Sequence, residues 1–534
     1  LRQYGQERLR ANGEWEQARA GHRDYYVRFA RTQAPRLDDQ ERSQAMALLA
    51  ADYDNLSLAL EGCLAEMALL PEIGAGLQNR SPALSPARAG LQIAAALWRI
   101  WEAHGNATEG RARLAVLLAH PDTQGATQTR AASLNAAGLL ARMQSDYAEA
   151  YALFEQSMCL YQELNDLRGT ATVVGNMAIT RSRQGDAEAT CTLLTQSLTL
   201  HRADGNRGGI ALTLGNLGAV ARRQGDYARS RTLLEESLAL RREIGDREGM
   251  AHALGNLGTL MYAQGDYFAA RRFQEEKLAL SRALGNKTDV ADSLGDLSQV
   301  VQDQGDSTLA RLLLEESLTL RREIGDQWSI ALALGNLGGI LLEQGDYVTA
   351  RMLQEESLAL RRRLKDNAGI AMSLANLGDQ AHFEGDYPHA RALHTESLPL
   401  VRASGHKGSE AHLLWNLGMD CHALHLLPET QNYLSECLEL CQEIGSKSVA
   451  LGALEGFARL ALTQKQPERA ACLYGNTTAL RQTLALPRSP REQQKFDQAF
   501  TELRAMLPEA ELATAFSRGE GLSMEQILLL LPTL

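Results

Sequence analysis

A chain of 534 residues is too long for one compact core, so it must form several domains or one elongated array. Hydrophobic residues at 45% argue against disorder, and the low aromatic share of 5%, with Leu and Ala abundant, suits close helix–helix packing. The balance of 54 basic against 65 acidic residues, a formal charge of −11, weighs against wrapping nucleic acid, which needs a basic face.

No run approaches the roughly 18 apolar residues of a membrane helix; the longest are IAAALW and the terminal ILLLLP. A basic–apolar–small signal segment is also missing, so no membrane partner is expected. Seven Cys, an odd number without regular spacing, read as reduced buried thiols in a cytoplasmic protein. The chain opens on Leu1 rather than Met, which suggests a piece excised from a longer protein.

Residues 1–62 read as an N-terminal helical linker region containing LRQYGQERLRANGE, HRDYYVRFA at 22–30 and DYDNLSLAL at 52–60. Residues 63–90, ending in NRSPALSPARAG, read as a degenerate helix and an inserted loop.

From 91 to 490 a forty-residue register takes over. QSDY occupies 144–147, QGDA 184–187, QGDY 224–227 and 264–267, QGDS 304–307, QGDY 344–347 and EGDY 384–387. HGNA at 104–107 keeps the column in weakened form, while LHLL at 424–427 and QKQP at 464–467 keep only the spacing. About ten units follow from this, near-identical in the middle and degenerate at the ends. Atypical end units are what a stacked array needs, because an end face meets water rather than a neighbour.

Within a unit the periodicity is helical. Ile210, Leu214, Leu217, Gly218 and Ala221 form one buried stripe. Gly225–Asp226 ends that helix, Gly by tolerating a left-handed turn and Asp by capping the next helix. The second helix, 227–245, places Leu233, Leu234, Leu238 and Leu240 on or near its inner side, and Gly245 closes it. Each unit is thus two antiparallel helices that need a stacked neighbour. Residues 491–534 read as a C-terminal helical cap. The predicted fold class is an all-α solenoid of helix hairpins.

Leu217–Gly218, Gly225, Tyr227, the small residue at 230 and Leu234 resemble the tetratricopeptide repeat. The small residue recurs as Ala270, Ala310, Ala350 and Ala390. A forty-residue version resembles the long-helix repeats of bacterial regulators and kinesin light chains, and the resemblance implies a superhelix with a concave groove. The segments outside the array carry a second resemblance, with RAACLYGNTTALRQTLALPRSPREQQKFDQAFTELRAML at 469–507 and GLSMEQIL at 521–528 after it. In order, they resemble the C-terminal arm of signal-transduction NTPases with numerous domains, the LuxR-like, NB-ARC-type bacterial regulators. That resemblance implies the sensor arm of an ATP-dependent transcriptional or signalling regulator, whose ligand relieves autoinhibition of an NTPase outside this chain. The alternative is a freestanding scaffold like a kinesin light chain array, without a switch.

Motifs for chemistry are missing. GNKT at 285–288 and GHKGS at 405–409 are the nearest strings to a phosphate-binding GxxxxGK[ST], and both lie in inter-repeat turns. Neither HExxH nor GxSxG, a Cys/His dyad or a DNA-binding helix-turn-helix occurs. An enzyme, a cofactor, a metal and direct nucleic-acid contact are therefore not expected of this chain.

The candidate site is an Asn column. Asn176, Asn216, Asn256, Asn336, Asn376 and Asn416 share one repeat position, with Asp296 in the seventh place. The resemblance places this first-helix position on the groove, where an amide can grip a peptide backbone; the plainer reading is that Asn bonds a neighbouring helix. One turn further on the lining varies: Arg222 and Arg223, Tyr262, Gln302 and Asp303, Glu343, His382 and Phe383, His422. Variation suits one particular partner, a protein or peptide, or equally the drift of a solvated face.

Seven of the twelve His fall between 382 and 425, with Trp415 and Cys421 among them. A small-molecule inducer near 376–422 is one reading. A metal is disfavoured because neighbouring first helices lie about 10 Å apart, too far for easy shared coordination. Cys437 and Cys441, one turn apart, read as buried small hydrophobes. Glu235 and Glu236 read as a solvated outward face rather than an acid–base pair.

Overall fold

A computed structural model describes residues 2–38, 42–69, 84–484, 486, 488, 490–529 and 531. Among them every regular element is helical and no strand occurs. The chain divides into two compact units, Leu1–Leu284 and Gly285–Leu534.

The first unit begins with α1 (Arg2–Ala11), α2 (Trp15–Gln33), α3 (Arg42–Ala51) and α4 (Tyr53–Leu69). Five hairpins follow: α5 (Pro86–Ala103) with α6 (Ala107–Ala119), α7 (Gln128–Met143) with α8 (Tyr147–Glu163), α9 (Leu167–Arg183) with α10 (Ala187–Asp204), α11 (Arg207–Arg223) with α12 (Tyr227–Ile244), and α13 (Arg247–Ala263) with α14 (Tyr267–Leu284). The opening helices pack onto α5 through Val27, Ala30, Leu56, Leu60, Ile93 and Leu97. Two segments conspicuous in the sequence meet there, as Tyr26 donates its hydroxyl to Asp52 at 3.0 Å. Most of the loop expected over 63–90 falls on 70–83, outside the described residues; its two flanks are helical, in α4 and α5.

The second unit holds five more hairpins: α15 (Lys287–Asp303) with α16 (Ser307–Ile324), α17 (Gln327–Glu343) with α18 (Tyr347–Leu364), α19 (Asn367–Glu384) with α20 (Tyr387–Ser404), α21 (Lys407–Ala423) with α22 (Leu427–Ile444), and α23 (Lys447–Thr463) with α24 (Pro467–Leu484). It ends in α25 (Pro490–Met506), α26 (Glu509–Glu520) and α27 (Met524–Leu529). Here the Leu-Tyr-Gly segment finds its physical reason. Tyr474 is buried, and Gly475 lies so close to α26 that a Cβ would sit 2.1 Å from the Phe516 carbonyl oxygen. Asn476 Nδ2 donates to the carbonyls of Gly519 (3.3 Å) and Leu522 (2.7 Å).

The turn chemistry accounts for the hairpins. Gly225 adopts φ +78°, and Asp226 accepts the Arg229 backbone N–H at 3.1 Å, satisfying an orphan donor of the second helix. The same cap recurs at Asp186, Asp306, Asp346 and Asp386. Within a hairpin the first helix offers a Gly to the second: a Cβ at Gly218 would meet Leu234 Cγ at 2.7 Å. Neighbouring first helices also touch one another, α7 to α9 to α11 to α13 in the first unit and α17 to α19 to α21 to α23 in the second, so they form the inner layer.

Two further columns hold the array, one within each hairpin and one between successive hairpins. Within each hairpin the buried Ser of the second helix donates to a first-helix carbonyl: Ser197 to Ala171, Ser237 to Ala211, Ser317 to Ala291, Ser357 to Ala331, each at 2.6–2.8 Å. Cys437 takes the same place, its Sγ 3.2 Å from the Ala411 carbonyl. The adjacent Glu is not merely solvated, as the sequence suggested. Arg202 pairs with Glu236 (3.5 Å) and Arg242 with Glu276 (3.3 Å); in the second unit Arg322 pairs with Glu356 (3.2 Å) and Arg402 with Glu436. Each such exposed pair is worth only about 0.2–1 kcal/mol, but the series ties successive second helices together.

Candidate functional site on the first-helix face

The Asn column lies on the inner layer, and its members divide by what the fold asks of them. Asn176 donates Nδ2 to Asn135 Oδ1 at 2.9 Å, and the buried Asn416 donates to Asp379 Oδ1 at 2.6 Å. These two amides join neighbouring first helices. Asn216, Asn256 and Asn376 are half-buried, Asn336 is exposed, and none of the four bonds another described side chain or carbonyl. Asp296 is exposed.

The variable positions beyond the column are also specific in their contacts. Arg223 donates to Ser182 Oγ at 2.8 Å, and Arg222 beside it is half-buried. The Tyr262 ring meets Tyr267 edge-on at 5.6 Å. Gln302 donates to Glu343 at 3.1 Å. Phe383 is exposed, and Trp415 packs edge-on against His412 at 5.4 Å. His422 lies 3.0 Å from Thr463 Oγ1; burial, then the Arg459 cation, pulls its pKa below the usual imidazole value.

The His-rich stretch holds a buried relay that sequence reasoning missed. His394, fully buried on α20, has Nδ1 2.6 Å from Asp420 Oδ2 and Nε2 3.3 Å from Asp379 Oδ1. The other oxygen of Asp420 lies 2.6 Å from His382 Nδ1. Side chains from α19, α20 and α21 thus converge around His394 and Asp420. Burial opposes the imidazolium of His394, but the two carboxylates outweigh it and push the pKa up to about 9. His394 occupies the inner position held by Leu234, Leu314 and Leu434 elsewhere, a departure readable in the sequence only once its partners are known. Among the described residues, no group of three or more His, Cys, Asp or Glu is arranged to hold a metal ion. Nor is any described helix long and apolar enough to cross a membrane.

The tetratricopeptide repeat family model matches residues 169–243, 209–283, 249–323 and 329–403. No curated protein matches the chain. Several solved structures are similar to it. A Signal Transduction ATPase with Numerous Domains protein with a tetratricopeptide repeat sensor, from Pyrococcus horikoshii, shares 12% identity over 74% of this chain and 55% of its own, with a TM-score of 0.49. The quorum sensor NprR from B. thuringiensis, in its apo form, shares 13% over 75% of this chain and 99% of its own, with a TM-score of 0.40. A kinesin light chain with nearly identical repeats, from Podosopora anserina, shares 16% over 36% of this chain and 96% of its own, with a TM-score of 0.31. Residues 169–323 and 329–403 of this chain are tetratricopeptide repeats.

Proposed function

We propose that the first-helix face binds an extended polypeptide segment, and that the chain is the sensor arm of a larger ATP-dependent regulator. The observation that carries the binding reading is the idle amide. Asn216, Asn256, Asn336 and Asn376 present donor and acceptor groups that the fold leaves unused, whereas the buried Ser of the same repeats is fully engaged. An amide offers both a donor and an acceptor, matching the N–H and C=O of an extended backbone. Residues around the column differ from hairpin to hairpin, which supplies the side-chain selectivity that backbone contacts lack. The sensor-arm part rests on the resemblance of the segments before and after the array to regulator arms.

The binding reading is tested with Asn256→Arg combined with Asn336→Arg, scored by quantitative cross-linking of partners in cells and by thermal melting. Binding is expected to be lost with the melting temperature nearly unchanged, since neither amide supports the fold. Undiminished cross-linking removes this face from the reading. The sensor-arm part is tested by blotting the native protein: a band well above 58.4 kDa is expected, and a band at 58.4 kDa favours a scaffold.

A further inference from the structure

The two units differ in charge. The first carries 32 basic and 32 acidic residues, the second 22 and 33, so the whole formal charge of −11 lies in the second. The difference concentrates on the first helices. α7, α9 and α11 contain no Asp or Glu, and their last turns present Arg142, Arg181, Arg183, Arg222 and Arg223. The matching turns of α15, α17, α19 and α21 hold Gln302 and Asp303, Leu342 and Glu343, His382 and Phe383, His422 and Ala423.

These five arginines are unlike others of the unit. Arg168, Arg202, Arg207, Arg231, Arg241 and Arg242 all pair with carboxylates. The five make no ion pair with a described residue. Arg181 lies over the Tyr151 ring at 4.3 Å, and Arg223 reaches Ser182. Arg142 feels both Glu102 and Arg183, and burial lowers its pKa; its Nη1 is buried without a hydrogen-bond partner. The turn carboxylates Asp186 and Asp226 cap the helices that follow them. A cation at a helix C-terminus complements the dipole, yet Asp303 and Glu343 stand in the same turn, so the dipole does not select the residue.

We infer that the arginine-lined last turns of α7, α9 and α11 form a docking surface for an acidic segment of a partner protein. This rests on the first-helix reading above and names the chemistry of the occupant. The guanidinium fork matches a carboxylate in bidentate geometry, and the idle amides of Asn216 and Asn256 on the same face serve the backbone beside it. A nucleic acid fits less well, because the unit as a whole is neutral and its second helices carry the Glu runs at 235–236 and 275–276.

The test uses the whole chain and fluorescence anisotropy with a labelled peptide of alternating Glu and Ala. Its Gln-for-Glu counterpart and a single-stranded oligonucleotide of equal charge serve as comparisons. The Glu peptide is expected to bind, more weakly as salt rises. Arg183→Gln with Arg223→Gln, both exposed, is expected to weaken binding by about tenfold, whereas Arg202→Gln with Arg242→Gln, which removes equal charge from the outer pairs, is expected to leave it within about twofold. Circular dichroism checks that both variants are folded. No binding of the Glu peptide, an equal loss in the outer-pair variant, or an oligonucleotide bound as tightly overturns the proposal. Equal binding of the Glu and Gln peptides that is lost in Asn256→Arg overturns the acidic occupant while sparing the first-helix reading.

Discussion

Asp420 accepts from His394 across a hairpin boundary at 2.6 Å, with both side chains fully shielded from solvent. Burial alone would strip the proton from such an imidazole. Asp379 on the other ring nitrogen, together with Asp420, reverses the balance and lifts the pKa from 6.5 to about 9. The groups facing the ring are Asp379 from α19 and Asp420 from α21, with His382 on the far oxygen of Asp420. Because the folded-state pKa is raised, the stabilisation is complete below pH 6.5 and is lost as pH rises through about 9. Its full size is about 3 kcal/mol. Hydrogen exchange in α19–α21 should therefore report a local stability falling by about that amount between pH 6 and pH 9.5. The fall should vanish in His394→Gln, which installs the residue found at Gln354 in the same repeat position. An equal fall in the variant would show that some other group titrates.

The same pair gives a double-mutant cycle built from the protein's own alternatives. His394→Leu copies Leu234, and Asp420→Val copies Val220. Each change alone strands a buried polar group, and loss of the imidazolium beside Asp420 is expected to cost roughly 3–5 kcal/mol. Together they recreate the apolar contact of other hairpins, so the double variant is expected to approach wild-type stability or exceed it. Urea unfolding of the four proteins measures the coupling. Additive losses would mean that the two side chains act independently.

Features confined to one hairpin were legible in the sequence. Gly225 with Asp226, Gly218 with its apolar stripe, and the forty-residue period all depend on local backbone chemistry. Contacts between hairpins were not. Arg202 reaches Glu236, 34 residues away, and Arg223 reaches Ser182, 41 away. Those separations depend on how far one helix slides past the next, which a period does not state. The Asn column shows the same limit. Its repeat position was readable, but whether an amide is already spent depends on the neighbouring helix: Asn135 beside Asn176, Asp379 beside Asn416. His394 could not be singled out in the sequence, because the carboxylates that engage it, Asp379 and Asp420, come from the helices before and after α20.

Lys365 marks a place where this chain departs from its own pattern. It ends α18 with φ +56°, the left-handed conformation that Gly205, Gly245, Gly325, Gly405 and Gly445 adopt at the equivalent turn. A side chain there costs about 1 kcal/mol, and Gly would relieve it. Part of the gain is offset by the greater freedom of Gly in the unfolded chain and by removing a cation from a helix C-terminus. Lys365→Gly should raise the unfolding free energy by roughly 0.5 kcal/mol, and Lys365→Ala should not. A gain in the Ala variant would point to charge, not backbone strain, as the cause.

The C-terminal helices offer the sharpest steric test. At the crossing of α24 and α26 a Cβ on Gly475 would stand 2.1 Å from the Phe516 carbonyl oxygen, and one on Gly519 would stand 1.9 Å from that of Cys472. Both obstacles are backbone, so no side chain can swing aside; the helices must separate. Separation also lengthens the Asn476 bonds to Gly519 and Leu522 and uncovers Leu512 and Leu503. Gly475→Ala should cost about 1–3 kcal/mol locally, enough to free the cap while the hairpins upstream stay folded, since stability in such arrays is largely a nearest-neighbour property. Limited proteolysis should then cut within 490–529 in the variant while the hairpins remain resistant. Gly408→Ala is the control, because a Cβ there meets nothing within 4 Å. In that helical position Ala should add about 0.5–1 kcal/mol rather than remove it. An intact cap in Gly475→Ala would mean that the two helices are not held as closely as their glycines allow.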